Sequence, residues 1–198
     1  MKLLFPCNIH EIKIKGFKII REEVLQYIYQ EKKKDPEGVE KSNAGGWQST
    51  SKYASFENIL IDTARKEIAQ YFNSKRIFRE GVGVEITNLW ININPKNASN
   101  RDHIHPASHL AGVWWIKVPP DSGRLFFNCP HWFEQFHEMC SYSDEFKEFS
   151  STYPDYYLNP YEGGMVLFPS SLFHRVEENK SNEDRISVSF NINLYPPD

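Results

Sequence analysis

Cysteine is scarce in this chain of 198 residues: Cys7, Cys129 and Cys140 are odd in number and no two form a CxxC pair. That argues against an oxidised disulfide scaffold or a zinc ribbon and favours a reducing, cytoplasmic compartment. Long apolar runs are missing as well. The first one, Leu3-Leu4-Phe5, stops at Pro6, too short for the apolar region of a signal peptide, and no later run approaches a membrane span. Charge of one sign is absent too, because 23 Lys and Arg face 26 Asp and Glu, a formal net charge of −3. So weak a field recruits neither nucleic acid nor an anionic membrane, and neither is expected as a partner.

Aromatic residues and histidine are what the chain does have. Its 14 Phe, 10 Tyr and 5 Trp carry more apolar surface than a disordered chain could leave in water. The length suits a single domain over residues 1–198 that buries about 70% of its unfolded surface. Seven His remain to be placed.

The N-terminal part, residues 1–81, reads as a short strand and supporting helices. Ile12-Lys13-Ile14-Lys15 alternates like a strand. Val24, Leu25 and Ile28 share one face of a helix over 21–35, whose Lys32, Lys33 and Lys34 suit its negative C-terminal end. A glycine-bearing loop over 36–54 leads to a second helix over about 55–73, with Ser55 as N-cap and Leu60, Ala64, Ile68 and Phe72 four apart. From residue 82 to 194 the pattern changes to strands. Residues 83–94 alternate, with Leu89, Ile91 and Ile93 on one side and Ile86, Asn88, Trp90, Asn92 and Asn94 on the other. Further strands are expected over 110–118, 124–128, 165–168, 173–176 and 185–194, with an aromatic, partly helical insertion at 130–160. Helices followed by short strands predict a mainly β fold with flanking helices, a sandwich or jelly roll.

His103-Ile104-His105 follows a polar loop. In an extended segment, residues i and i+2 point the same way, so both imidazoles can converge on one point. His174, just after a strand-like run, offers a third. Three convergent side chains that leave open positions are what an oxygen-activating metal requires, although imidazole alone does not choose among iron, copper, zinc and nickel. His109 is a possible substitute, whereas His10, His131 and His137 have no partner pattern and read as structural. On the last strand Arg185, Ser187, Ser189, Asn191 and Asn193 share one face. That face either meets water or, with the Asn row of residues 88–94, lines a polar barrel interior whose apolar backs pack on the helices. Arg185 with Ser187 could grip a carboxylate, since a guanidinium is a planar fork that binds one through two parallel hydrogen bonds. The plainer alternative is a surface ion pair with Glu183 or Asp184.

Taken in order, Trp90-Ile91-Asn92, His103-Ile104-His105-Pro106, the Gly112–Ile116 strand, Gly164–Pro169, Phe173–Val176 and Arg185–Phe190, with the Asn43–Ser49 loop, resemble the Fe(II)/2-oxoglutarate-dependent oxygenase superfamily. The closest likeness is to its bacterial and phage branch. The resemblance implies a double-stranded β-helix (a cupin-like jelly roll) with His103 and His174 binding Fe(II). It also implies that Arg185 and Ser187 hold the distal carboxylate of 2-oxoglutarate, with help from Asn92, and that no acid or base acts beyond the metal centre. The implied reaction is hydroxylation of a protein side chain or small molecule. Most of the superfamily has His-x-Asp or His-x-Glu, and here His105 stands at the carboxylate position. Either it ligates, making a three-histidine site, or only one of the pair binds. Asp102 is expected to face away. Two other functions stay open: a non-catalytic jelly-roll module, and a three-histidine cupin-type dioxygenase that does not use 2-oxoglutarate.

Overall fold

The computed structural model describes residues 6–53, 58–131, 142–151, 153 and 155–197. Its first part runs β1 (His10–Lys13), α1 (Phe17–Lys34), β2 (Asn43–Ala44), β3 (Trp47–Gln48), β4 (Lys52–Tyr53) and α2 (Ile59–Lys75). The second runs β5 (Gly83–Asn94), β6 (Ser99–His103), β7 (Leu110–Lys117), β8 (Leu125–Asn128), α3 (Asp144–Ser150), β9 (Asp155–Leu158), β10 (Gly164–Pro169), β11 (His174–Val176) and β12 (Arg185–Tyr195).

Both long helices form where the apolar spacing predicts them, with shifted starts. α1 begins at Phe17 because that ring is itself part of the core, 5% exposed. α2 is capped by Asn58, whose side chain accepts the N–H groups of Leu60 and Ile61. The expected cap, Ser55, lies outside the described residues.

The strands build two antiparallel sheets. The larger has the order β1-β10-β7-β12-β5-β3, with β4 also on β5, and the smaller the order β2-β6-β11-β8-β9. From β5 onward successive strands alternate between the sheets, apart from the β8–β9 pair. That winding is a double-stranded β-helix, the expected architecture. The segment from β2 to β3 bridges the barrel wall, since β2 pairs with β6 in one sheet and β3 with β5 in the other. Two strands differ from expectation. β6 takes in residues 99–102, expected as polar loop, and ends at His103, which was expected in an extended segment. β9 arises inside the expected insertion and completes the smaller sheet through Leu125↔Leu158 and Phe127↔Tyr156. Of that insertion's aromatics, Phe146, Phe149, Tyr156 and Tyr157 are exposed, while Trp132 lies outside the described residues.

Two apolar layers hold the sheets in place. Val24, Ile28, Leu60 and Ile68 of the helices pack on Leu89, Ile91, Val188 and Phe190, on the outer face of the larger sheet. Between the sheets, Val113, Leu125, Phe127, Val166 and Phe168 fill part of the barrel. Strict alternation on β5 fails at one point. Asn191 faces Asn88 but Ile192 faces Ile86, so Thr87 is an extra, bulged residue. The bulge turns Ile86 into the helix-side core, correcting its expected place on the polar face. Among the described residues, no helix is long and apolar enough to cross a membrane.

Close approach at Gly112 is required where β7 passes Phe190, its cross-strand partner. A Cβ there would overlap the Phe190 ring and come within 2.9 Å of Leu167 Cδ2. Gly112→Ala is therefore expected to cost about 1–3 kcal/mol through overpacking. The measurement is equilibrium urea unfolding, with a lowered midpoint and unchanged slope.

Candidate metal centre

His103 is the last residue of β6 and lies directly opposite His174, the first of β11. His105 stands just past the strand end, where its backbone N–H donates to Ser170 O at 2.9 Å. The ring centroids are 4.3 Å apart for His103–His174, 5.0 Å for His105–His174 and 5.2 Å for His103–His105. One ring nitrogen from each histidine lies within 4.8 Å of the other two. Among the described residues, the other histidines stay out of this cluster. The Nδ1 of His109 accepts the Leu194 N–H at 3.1 Å, His10 packs against Tyr71 and Phe72, and His137 lies outside the described residues.

The hydrogen bonds decide which nitrogen each ring offers. The Nδ1 atoms lie 2.7 Å from Arg101 O, 2.6 Å from Asn191 Oδ1 and 2.9 Å from Leu172 O, for His103, His105 and His174 in turn. A carbonyl oxygen only accepts, so each Nδ1 carries the hydrogen and each Nε2 keeps its lone pair. Burial pushes all three away from the charged form: His174 down to about 3, His105 down to about 4, and His103 in the same direction. Three neutral imidazoles are thus ready to bind a cation without first losing a proton. The Nε2 of His105 is buried with no partner among the described residues, and a metal ion fits that lone pair. Asp102 does turn away, as expected. Its carboxylate lies 3.4 Å from Asn128 Nδ2 and 3.7 Å from the Arg175 guanidinium.

On the same face of β12, Arg185 is 1% exposed, and its Nε and Nη2 have no partner among the described residues. Of the two suggested surface partners, Glu183 and Asp184, Glu183 pairs with Lys117 at 2.9 Å instead. Desolvation pushes the guanidinium down to about 10, so it stays charged at neutral pH while paying for burial. Ser187 is buried beside it, paired with Asn92 on one side and Trp115 on the other. Asn92 donates to Ser189 Oγ at 3.1 Å and keeps its Oδ1 unused, and the Nε1 of buried Trp115 is unused too. A ligand carboxylate fits this charged, donor-lined recess. Sequence reading passed over Trp115, because it sits in a continuous apolar run. Which of the adjacent Trp114 and Trp115 faces inward depends on the pairing with β12. Trp90, whose ring lies 5.3 Å from that of His105, also lines the site.

The profile of a family described as "Putative 2OG-Fe(II) oxygenase" matches residues 88–191, a span that holds all three clustered histidines and Arg185. The chain belongs to the 2OG-Fe(II) oxygenase family. These are enzymes that use Fe(II) and 2-oxoglutarate, and the three-histidine cluster fits iron binding. No curated protein matches the sequence. Among solved structures, a viral collagen prolyl hydroxylase from Paramecium Bursaria Chlorella virus-1, in complex with 2OG, is 18% identical with TM-score 0.58, covering 93% of this chain and 94% of that one. HygX from Streptomyces hygroscopicus, with nickel and 2-oxoglutarate bound, is 11% identical with TM-score 0.59, covering 94% and 83%. A prolyl hydroxylase from Trichoplax adhaerens, in complex with a hypoxia inducible factor peptide fragment, is 12% identical with TM-score 0.58, covering 93% and 82%. Identities this low speak to a shared fold. The cluster includes His105, which stands where the resemblance implies a carboxylate.

Two variants probe the two halves of the site. His174→Ala is expected to weaken Co(II) binding by more than about 100-fold, beyond the loss typical of an outer partner, with the metal-free melting temperature little changed. Arg185→Leu relieves a buried, unpaired charge, so its ligand-free melting temperature is expected to equal or exceed that of the wild type. The same variant should lose the stabilisation by 2-oxoglutarate, about 2.7 kcal/mol at 100 times Kd. Thermal melts of metal-loaded protein with and without 2-oxoglutarate check this.

Proposed function

We propose that the protein is a hydroxylase of a protein side chain or small molecule, with His103, His105 and His174 holding Fe(II) and Arg185, Ser187 and Asn92 receiving the distal carboxylate of 2-oxoglutarate. One observation carries this reading: a cluster of neutral, inward-facing imidazoles shares a barrel with a buried guanidinium that has no acidic partner among the described residues. The chemistry supplied when Fe(II) and 2-oxoglutarate are bound is oxidation of a substrate C–H to C–OH by O2, with 2-oxoglutarate giving succinate and carbon dioxide.

The chain's own part is to bind, orient and keep dry. Arg185 fixes the far end of the cosubstrate by charge and a two-pronged hydrogen bond, and the Ser187 hydroxyl adds a third donor. The Trp115 Nε1 is a further donor in the same recess. Val113, Phe127, Val166 and Phe168 line the interior between the two sheets and exclude water from the reacting centre. The chain works as one domain in this reading, because β1 extends the larger sheet through β10 and both long helices cover that sheet. The fold is shared by a peptide-bound prolyl hydroxylase and by HygX, which supports leaving both macromolecular and small substrates in the proposal. A reducing, cytoplasmic setting belongs to it as well: three cysteines with no CxxC pair suit it, and Fe(II) persists best in such surroundings.

A three-histidine dioxygenase that ignores 2-oxoglutarate, or a non-catalytic barrel, would leave the buried charge of Arg185 without a purpose. The deciding experiment adds Fe(II) and 2-oxoglutarate to purified protein without oxygen, then admits air. A visible charge-transfer band followed by succinate release is expected. Absence of both would overturn the proposal.

A further inference from the structure

Only one of the three clustered histidines owes its ring orientation to a side chain. His103 and His174 direct Nδ1 at the backbone carbonyls of Arg101 and Leu172, which no substitution removes. His105 directs its Nδ1 at Asn191 Oδ1, 2.6 Å away. His105 also stands beyond the end of β6, so no strand pairing holds it. Its local anchors are the backbone bond to Ser170 and the neighbouring Trp90 ring. Asn191, by contrast, is fixed on the inner face of β12, with Asn88 as cross-strand partner on one side and Ala111 on the other.

We propose that Asn191 is the positioning residue for His105: its amide oxygen takes the Nδ1 hydrogen and so commits Nε2 to the metal. The proposal rests on the reading of the three histidines as metal ligands and adds what makes the third one competent. The reverse amide orientation would offer a donor to Nδ1 and move the ring hydrogen to Nε2. That would bury an N–H with no acceptor in the protein and remove the lone pair a cation needs. An outer partner of this kind, bonded to the ligand's second ring nitrogen, sets both tautomer and ring angle.

The choice of amide over carboxylate also bears on charge. A carboxylate in this place would draw the imidazole toward anionic character and put back a negative charge beside the metal. Asn191 holds the ring without doing so, and the adjacent acid, Asp102, is turned toward Arg175. The negative charge at this centre is therefore left to the carboxylates of the bound cosubstrate.

The test is titration of metal-free protein with Co(II), followed by its visible absorption, with thermal melts of each metal-free variant. Asn191→Ala is expected to weaken Co(II) binding by about 10–100-fold, the usual cost of losing an outer partner. Asn191→Leu, which keeps similar bulk but no acceptor, should weaken it likewise. Asn191→Asp restores an acceptor and should bind within about threefold of the wild type or more tightly, with the wild-type absorption envelope. Metal-free melting temperatures should stay close together, which separates positioning from a general packing role. Co(II) affinity of wild-type strength in either Asn191→Ala or Asn191→Leu would overturn the proposal. So would an Asn191→Asp variant as weak as Asn191→Leu. Wild-type binding by His174→Ala would instead sink the ligand assignment beneath it, so the two failures can be told apart.

Discussion

The site depends on the pairing of β12 along both its edges, with β5 on one side and β7 on the other. A strand held on both sides cannot slip without turning every side chain to the opposite face. Ile186, Val188, Phe190 and Ile192 are thereby committed to the helix-side core. Arg185, Ser187, Ser189 and Asn191 are committed to the barrel interior. The apolar half of the strand thus provides the stability, through burial against α1 and α2, that lets its polar half be held in place away from bulk water.

Electrostatics in the barrel follow from that commitment. Arg185 is charged at neutral pH and buried without a counter-ion among the described residues, and the three histidines are neutral because burial disfavours their protonation. The nearby carboxylates are engaged elsewhere, Asp102 with Arg175 and Glu183 with Lys117. A cation at the histidines would leave the cavity strongly positive. The complement in the proposed site is a dianion, one end at the metal and the other at Arg185, and 2-oxoglutarate is such a dianion. In the proposed site His105 stands where the resemblance implies a carboxylate, which sharpens this demand, because none of the three clustered side chains carries negative charge.

Much of this was legible from local chemistry. The two-residue period of residues 185–194 assigned Arg185 and Ser187 to one face, and the strand period also placed Asp102 away from His103. The 3.6-residue spacing of Leu60, Ala64, Ile68 and Phe72 marked α2. What was not legible depends on partners far away in the chain. The bulge at Thr87 is visible only against β12, and it moved Ile86 from the expected polar face to the core. β9 has no strong alternation of its own and becomes a strand because β8 needs an edge partner. Trp115 is indistinguishable from Trp114 until the register sets Ser187 opposite it.

Sequence alone determined the ligand types, the order of the motifs and which faces of the long strands are polar, because each follows from the identity and spacing of neighbouring residues. Tertiary structure decided whether three histidines from two strands and a loop meet, which nitrogen each presents, and that Arg185 has no acidic partner. The physical reason is range. Side-chain periodicity is a property of a few consecutive residues, whereas His103 meets His174, and His105 meets Asn191, only through the pairing of distant strands. That pairing leaves no local trace in the chain.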